Sequence, residues 1–380
     1  MYPAEVLGAA PSEKVLDLCA ALGGKTTQLA GMMDNKGLLI ANEIDAKRAK
    51  ALSENIERLG ITNCIVMNET PERLAARFPG YFDRILLDVP CSGEGMFRKD
   101  PAAITYWSEA HGEACARVQS QLFEAALNML REGGKLVYST CTFSLEENEQ
   151  QVAAYLQKYP ELELIGLSHE YGVAPGVEVG GDLAATEPTS ASRRNLMSHM
   201  LSQTARLWPH RLRGEGHYAA LLHKRGAGAN SAWKGIMAEP SVSRQAMQFY
   251  RIFEQQTLQT KLEGTFHLQG TQLFLLPEGC PELAGLRLVR PGLHLGELKK
   301  GRFEPNHALA RVLTAEQFVH THELATESED RISSYLRGET LLTDGDRGWL
   351  AITYRGFPIG WGKETQGIIK NFYPKGLRLP

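Results

Sequence analysis

Two cysteines in loops that follow apolar runs are the residues of this sequence best placed to do chemistry. Cys91 lies in DVPCSGEGMF, residues 88–97, directly after the run RILL at 84–87 and just beyond the carboxylate of Asp88. Cys141 lies in STCTF, residues 139–143, after the run KLVYS at 135–139. A packing cysteine belongs inside a strand, and a structural turn has no use for a thiol. A lone loop cysteine is usually inert. Two of them at neighbouring strand ends, one beside an acid, point to covalent catalysis. C5 of a pyrimidine is too weak a nucleophile to be methylated unaided. A thiolate that adds to C6 splits one hard step into two easier ones. An acid near N3 then stabilises the charge that develops on the ring, and a base must remove the C5 proton before the thiol leaves. Cys141, Cys91, Asp88 and Lys25 can fill the roles of nucleophile, acid, base and balancing cation. Spacing alone leaves open which thiol attacks.

The segment CAALGGKT, residues 19–26, follows the first apolar run and opens the first helical pattern. A phosphate-binding P-loop needs glycine six positions before the lysine, and Cys19 stands there. The dinucleotide fingerprint needs G-x-G-x-x-G, whereas this turn has only the adjacent Gly23 and Gly24. A third reading is a turn whose small residues let the backbone approach a nucleoside cofactor that carries no diphosphate. Glu43, at the end of the second apolar run, can accept from both ribose hydroxyls. That combination suits S-adenosylmethionine. The bland alternative is a tight connection with a solvated Glu43.

The elements that must position these residues alternate through the first half of the chain. Strands are expected at 14–19, 37–41, 64–67, 84–87, 135–139 and 218–223. Helices are expected from 24 to 33, over 46–59, up to Gly133-Gly134, and over 146–159. Strand–helix alternation at this spacing predicts an α/β Rossmann-like domain, with ligands off the C-terminal ends of a parallel sheet. Segment 166–205, rich in Gly, Ser and Thr, reads as a surface insertion, and GAGANSAWKG at 226–235 as a linker. Beyond it FHLQGTQLFLL, LAGLRLV and WLAITYR predict small β-rich modules.

Length and composition bound the rest. A chain of 380 residues, 43% hydrophobic and 22% charged, is a multidomain globular protein. No apolar run approaches 18 residues, so no membrane span or membrane partner is expected. Its six cysteines form no CxxC pair, so no metal is expected and the setting is reducing and cytoplasmic. Cys64, Cys115 and Cys280 read as packing residues, and His210 and His217 receive no catalytic role. A net charge of −3 does not advertise a nucleic-acid binder, but an average can hide a local basic surface.

DVPCSGEGMFRKDP and YSTCTFSLEENE resemble the fourth and sixth motifs of the Sun/Nop family of RNA cytosine-5 methyltransferases, DLCAALGGKT its first and ANEID its second. RLWPHRLRGEGHYAALL, at 206–222, resembles the strand that closes its catalytic domain. The C-terminal segments resemble the bacterial 16S rRNA branch of that family, F type. The resemblance implies a class I methyltransferase domain over 1–225, a linker over 226–244, an intermediate domain over 245–305 and a PUA-like RNA-binding domain over 306–380. It implies Cys141 as the nucleophile, Cys91 as the thiol needed for product release, Asp88 as the acid that holds the base, near the cofactor, and Lys25 as the active-site cation. It also implies that Cys19, Ala20, Ala21, Leu22, Gly23, Gly24 and Lys25 hold the methionine part of S-adenosylmethionine, and Glu43 the ribose. The family's third-strand acid is not obvious; Asn68 or Thr70 occupies that region, with Asn68 preferred for the adenine. Leu22 stands where the family usually has a proline that fixes the turn, so weaker cofactor binding is expected. Family members carry an RNA-binding extension before the segment that is residues 2–5 here. The expected substrate is 16S rRNA within the small ribosomal subunit, and the expected enzyme a monomer. The alternative is a non-catalytic RNA-binding relic, and a small-molecule methyltransferase would leave the C-terminal modules unexplained.

Basic residues cluster from Arg355 onward: Arg355, Lys363, Lys370, Lys375 and Arg378 against Glu364, with Trp361, Phe372 and Tyr373 among them. Such a mixture can meet phosphates and stack on bases. Phe97-Arg98-Lys99-Asp100 and Arg193-Arg194 are further candidate RNA contacts.

Overall fold

The computed structural model describes residues 1–177, 199–226, 233–324, 329–345 and 347–380. Two compact units emerge: Met1–Leu52 with Val66–Ile236 and Gly285–Arg287, and Ser53–Ile65 with Met237–Ala284 and Leu288–Pro380. Arg193 and Arg194 lie outside the described residues, as do most of the expected insertion and part of the expected linker.

The first unit is built on a sheet whose core strands are β1 (Lys14–Asp17), β2 (Leu38–Asn42), β3 (Cys64–Met67), β4 (Phe82–Asp88) and β5 (Leu130–Thr140). Their spatial order is β3-β2-β1-β4-β5, continued by β9 (His217–Lys224). β1 runs parallel to β2 and β4, and β4 parallel to β5, while β9 lies antiparallel beside β5. β2 and β3 are buried throughout, as expected of strands covered on both faces. Helices α1 (Tyr2–Leu7), α2 (Gly24–Met32), α3 (Ala46–Arg58), α4 (Pro71–Arg77), α5 (Glu109–Met129) and α6 (Glu149–Lys158) supply the connections. Short strands β6 (Leu162–Ile165), β7 (Ala174–Pro175) and β8 (Ala205–Leu207) extend the sheet, with β6 and β8 both pairing β9.

One boundary differs from expectation. α5 ends at Met129, not near Gly133-Gly134, because buried Leu130 already pairs with Phe82 of β4. A register shift follows between Phe82 and Arg84, and a Cβ on Gly134 would lie 3.0 Å from the Asp83 carbonyl oxygen. The two glycines therefore permit an irregular strand start and do not cap a helix.

In the second unit, Phe266–Gln269 and Gln272–Leu275 form a hairpin in a four-stranded sheet with Leu293–Lys299 and Arg302–Pro305. A five-stranded sheet contains Thr321–Leu324, Gly348–Tyr354, Phe357–Thr365, Ile368–Asn371 and Leu341–Leu342. Helix Arg244–Thr257 contributes Tyr250 and Phe253 to a core shared with Leu273, Phe303, Ala351 and Trp361. Trp361 is fully buried and its Nε1 donates to the Asn306 carbonyl at 2.8 Å, so it is not one of the tail's RNA-facing aromatics. Tyr373 packs edge-on against His307 and Tyr335. Among the described residues no helix is long and apolar enough to cross a membrane, and no cluster of His, Cys, Asp and Glu has the make-up of a metal site.

Candidate active site

The register of β4 against β5 brings the two cysteine loops together. Asp88 pairs with Ser139, so the chain segments leaving these positions emerge side by side from the C-terminal ends of parallel strands. Cys91 and Cys141 lie with their Sγ atoms 3.1 Å apart, and the Cys141 amide donates to Cys91 Sγ at 3.2 Å. Both are partly accessible. Lys25, from the first turn of α2, donates to Asp88 Oδ2 at 2.6 Å, and Ser139 Oγ donates to Asp88 Oδ1 at 2.7 Å. The four residues expected to carry the chemistry thus form one cluster assembled from β4, β5 and α2.

Its electrostatics are asymmetric. The hydrogen bond from Cys91 is the largest influence on Cys141 and lowers its pKa below the ordinary thiol value; burial and Asp88 oppose this, and the charge of Lys25 assists. The same bond, together with burial, holds the proton on Cys91 well above its ordinary value. The backbone N–H donated to Cys91 works the other way. The Lys25 charge acts on Cys141, so the two thiols are pushed apart, Cys141 downward and Cys91 upward. Burial disfavours the charge on Lys25, but the charge and hydrogen bond of Asp88 outweigh it and hold the lysine pKa above normal.

Half-buried Glu94 and buried Glu147 and Asn148 support the loops. Glu94 Oε2 accepts from Thr142 Oγ1 at 3.1 Å and the Phe143 amide at 3.0 Å, and its Oε1 accepts from Trp107 Nε1 at 3.1 Å. Glu147 Oε2 accepts from the Ser92 amide at 3.0 Å and Gln119 Nε2 at 2.8 Å. Asn148 Oδ1 accepts from Thr140 Oγ1 at 2.6 Å, and its Nδ2 donates to the Thr142 carbonyl at 3.0 Å. The Gly95 amide donates to the Cys141 carbonyl at 2.8 Å, and the Gly216 amide to the Gly95 carbonyl at 3.1 Å. Sequence reasoning missed Ser139, Glu94, Glu147 and Asn148. The available signal was acidic and amide residues inside otherwise loop-like motifs.

The residues expected to hold the cofactor lie along the C-terminal ends of β1, β2 and β3. Asp17, at the end of β1, accepts from Thr26 Oγ1 at 2.7 Å and so ties β1 to α2 beneath the turn. Burial pushes the Asp17 carboxyl up to about 7, against the Thr26 bond and with help from the Asp88 charge. Burial also drives the Cys19 thiol far upward, leaving that residue a backbone role. Leu22 is exposed and follows a cis peptide bond from Ala21. Gly23 adopts φ 97°, a conformation that favours glycine. No side chain caps α2, so its first amides are left for an external acceptor, which suits the carboxylate of a methionine moiety. Glu43 is buried at the end of β2, where its Oε1 accepts from the Asp45 amide at 2.9 Å and its Oε2 lies 3.6 Å from Arg48. Asn68 Nδ2 donates to the carbonyls of Glu43 and Ile44, both at 2.8 Å. Thr70 instead caps α4 by accepting from the Arg73 amide. Together these residues fit S-adenosylmethionine, with open amides at one end of the crevice and a carboxylate at the other.

Other expected residues divide. Arg98 donates to the Gly214 carbonyl at 2.8 Å and to Glu215 at 3.0 Å, while Lys99 is exposed beside it. Cys64 and Cys280 are buried, but Cys115 is half-exposed on α5 with its Sγ 3.7 Å from His111 Nε2, so it is not a core residue.

A doubly wound sheet closed by an antiparallel strand, with paired thiols at adjacent strand ends and an open-amide turn after β1, defines a Rossmann-like methyltransferase domain. The chain belongs to the family described as 16S rRNA methyltransferase RsmB/F, whose model matches residues 4–223. Residues 252–313 match the RsmF rRNA methyltransferase first C-terminal domain, and residues 323–379 the RsmF PUA domain. Relatives named ribosomal RNA small subunit methyltransferase F are 32% identical over 387 residues in Vibrio cholerae (99% of this chain, 77% of the relative). In Psychromonas ingrahamii the relative is 32% identical over 373 residues (96% and 73%). Among solved structures, NSun6 from Pyrococcus horikoshii with SFG is 32% identical, with a TM-score of 0.47, over 59% of this chain and 51% of its own.

Proposed function

We propose that this chain methylates C5 of a cytosine in 16S rRNA through a covalent bond between Cys141 and C6. It is an S-adenosylmethionine-dependent rRNA cytosine-5 methyltransferase by family. The observation that carries the covalent reading is the 3.1 Å contact between the Cys91 and Cys141 sulfurs, which pushes the pKa of Cys141 down and that of Cys91 up. The Cys141 thiolate adds to C6 and charge develops on the ring. A proton held between Lys25 and Asp88 is delivered to N3. Cys19–Lys25, Glu43 and Asn68 would hold S-adenosylmethionine, which would supply the methyl group that the activated C5 takes. The N3 proton returns to the Lys25–Asp88 pair that lent it and solvent water takes the C5 proton, so the ring re-forms as the carbon–sulfur bond breaks and Cys141 departs as a thiolate. The Cys91 thiol aids that departure through the same hydrogen bond that lowers the Cys141 pKa. Cys91 is therefore the release residue.

The target base must leave its stack to reach Cys141. We assign catalysis to 1–225, a linker to 226–244, an intermediate domain to 245–305 and RNA binding to 306–380, in a cytoplasmic monomer acting on the small subunit. The assembled cluster of Cys141, Cys91, Asp88 and Lys25 weighs against a relic.

The test follows label from S-adenosylmethionine into small subunits taken from cells lacking the gene. Wild type transfers label and Cys141→Ser does not. Cys91→Ala leaves a covalent protein–RNA adduct on a denaturing gel. An adduct with Cys141→Ala instead would reverse the two thiols, and no transfer by wild type would sink the assignment.

A further inference from the structure

The second unit contains a groove of about 1240 Å³ that the catalytic chemistry does not use. It is larger than the roughly 300–1,000 Å³ typical of a small-molecule pocket. One wall is the face of the five-stranded sheet that also packs Trp361 and Ala351 into the core. The opposite face of that sheet is closed by helix Glu329–Arg337 around Tyr335, Leu350, Ile352 and Ile369. The other wall comes from helix Arg244–Thr257, with Phe249, and from the turn carrying Arg302.

Register places unusual neighbours on this face. Trp349 lies opposite Lys363, and Lys363 opposite Lys370, across three adjacent strands. Lys363 Nζ stands 5.5 Å from the Trp349 ring, and Lys370 Nζ 5.6 Å from the ring of Phe372. Trp349 and Phe372 meet edge to face with centroids 4.5 Å apart, and both remain partly exposed. Two lysines directly opposed on neighbouring strands repel. The acids of the groove do not relieve them: Glu304 pairs with Lys299 at 2.8 Å, and Glu364 accepts from Thr343 Oγ1 at 2.6 Å and sits 3.8 Å from Arg347. Among the described residues no carboxylate lies within ion-pair distance of Lys363, Lys370 or Arg302. Opposed lysines with no carboxylate partner, set beside two partly exposed rings, suit a ligand that is both anionic and aromatic.

We propose that this groove binds an unpaired segment of the substrate RNA. Phosphates meet Lys363, Lys370 and Arg302, and bases stack on Trp349 and Phe372. Duplex RNA hides its base faces inside the helix, so aromatic walls favour single strands. This inference rests on the rRNA reading above and adds where, and in what form, RNA is held away from the target cytosine.

The full chain is titrated with fluorescent oligouridine and with a blunt RNA duplex of equal length. Lys363→Gln/Lys370→Gln is expected to weaken oligouridine binding ~10-fold or more and to lower the salt slope by about 1.4, at ~0.7 per single-strand phosphate contact. Thermal unfolding of the same variant shows that it stays folded at the titration temperature. In wild type, photo-crosslinks from 4-thiouridine map to peptides carrying Trp349 or Phe372. Unchanged affinity and slope, crosslinks elsewhere, or preference for the duplex would overturn the groove. Methyl transfer to 16S rRNA is measured on the same preparations. Transfer by wild type with any of those results overturns the groove alone. Absence of both transfer and oligouridine binding in wild type overturns the rRNA reading as well.

Discussion

The pKa of Cys141 is governed first by its neighbour Cys91. The bond from Cys91 lowers its pKa, and Lys25 adds to the effect. The thiolate is the attacking form, so the first-step rate falls as pH drops through the Cys141 pKa. Removing the donor should move that midpoint upward. Alkylation of Cys141 by iodoacetamide, followed by mass spectrometry across pH, should titrate at higher pH in Cys91→Ala than in wild type. An unchanged midpoint would mean that Lys25 alone sets the ionisation. Lys25→Met should shift the midpoint in the same direction and also abolish transfer. These residues were legible in the sequence because each stands in a short contiguous motif at a strand end. Ser139 was not, although it touches Asp88 directly. Its role depends on the pairing of two strands 51 residues apart, and register is a property of the folded sheet.

At the scale of elements, the loop carrying Cys141 is clamped from two sides. Gly95 is one jaw: a Cβ there would lie 2.7 Å from the Cys141 carbonyl oxygen and 2.5 Å from that of Gly216. Both obstacles are backbone, so neither can swing aside. Gly95→Ala should displace Cys141, the proposed nucleophile, and cut methyl transfer by ~100-fold, on the scale of an ångström misplacement, with S-adenosylmethionine affinity by calorimetry unchanged. Normal transfer would show the clamp to be dispensable. The other jaw is Arg206 of β8, which forks onto Glu149 of α6 at 2.7 and 2.5 Å and donates to the Phe143 carbonyl at 3.0 Å. Both side chains of that ion pair are almost fully buried. Arg206→Ala strands the Glu149 carboxylate, so urea unfolding should show a loss of about 3–5 kcal/mol; a loss below about 1 kcal/mol would mean that water replaces the guanidinium. Most strands of this unit were visible as apolar runs. The end of α5 was not, since Leu130 has the same apolar character in a helix or a strand. Pairing with Phe82 decides it.

At the scale of the whole molecule, a formal net charge of −3 sits uneasily with an RNA substrate. Recognition must come from local clusters, and the sequence showed this only as a composition. It grouped Trp361 with Phe372 because both interrupt the basic tail; the fold puts Trp361 in the core and leaves Phe372 beside Trp349, a residue the tail's composition did not include. Alternation along a strand says which residues share a face, not where that face stops being core. If local cations carry the affinity, each phosphate contact releases condensed counterions, and the logarithm of the binding constant falls linearly with that of salt. Net negative charge cannot remove this dependence, because screening confines the repulsion to distances within about 10 Å at 0.1 M salt. Wild-type binding to 16S rRNA fragments, measured by filter retention across a salt series, should therefore give a straight descending line. Lys363→Gln/Lys370→Gln should lower its steepness without flattening it, since Lys99 and other cations would still meet phosphate. A flat line for wild type would leave base stacking as the sole source of affinity and remove the electrostatic half of the recognition argument.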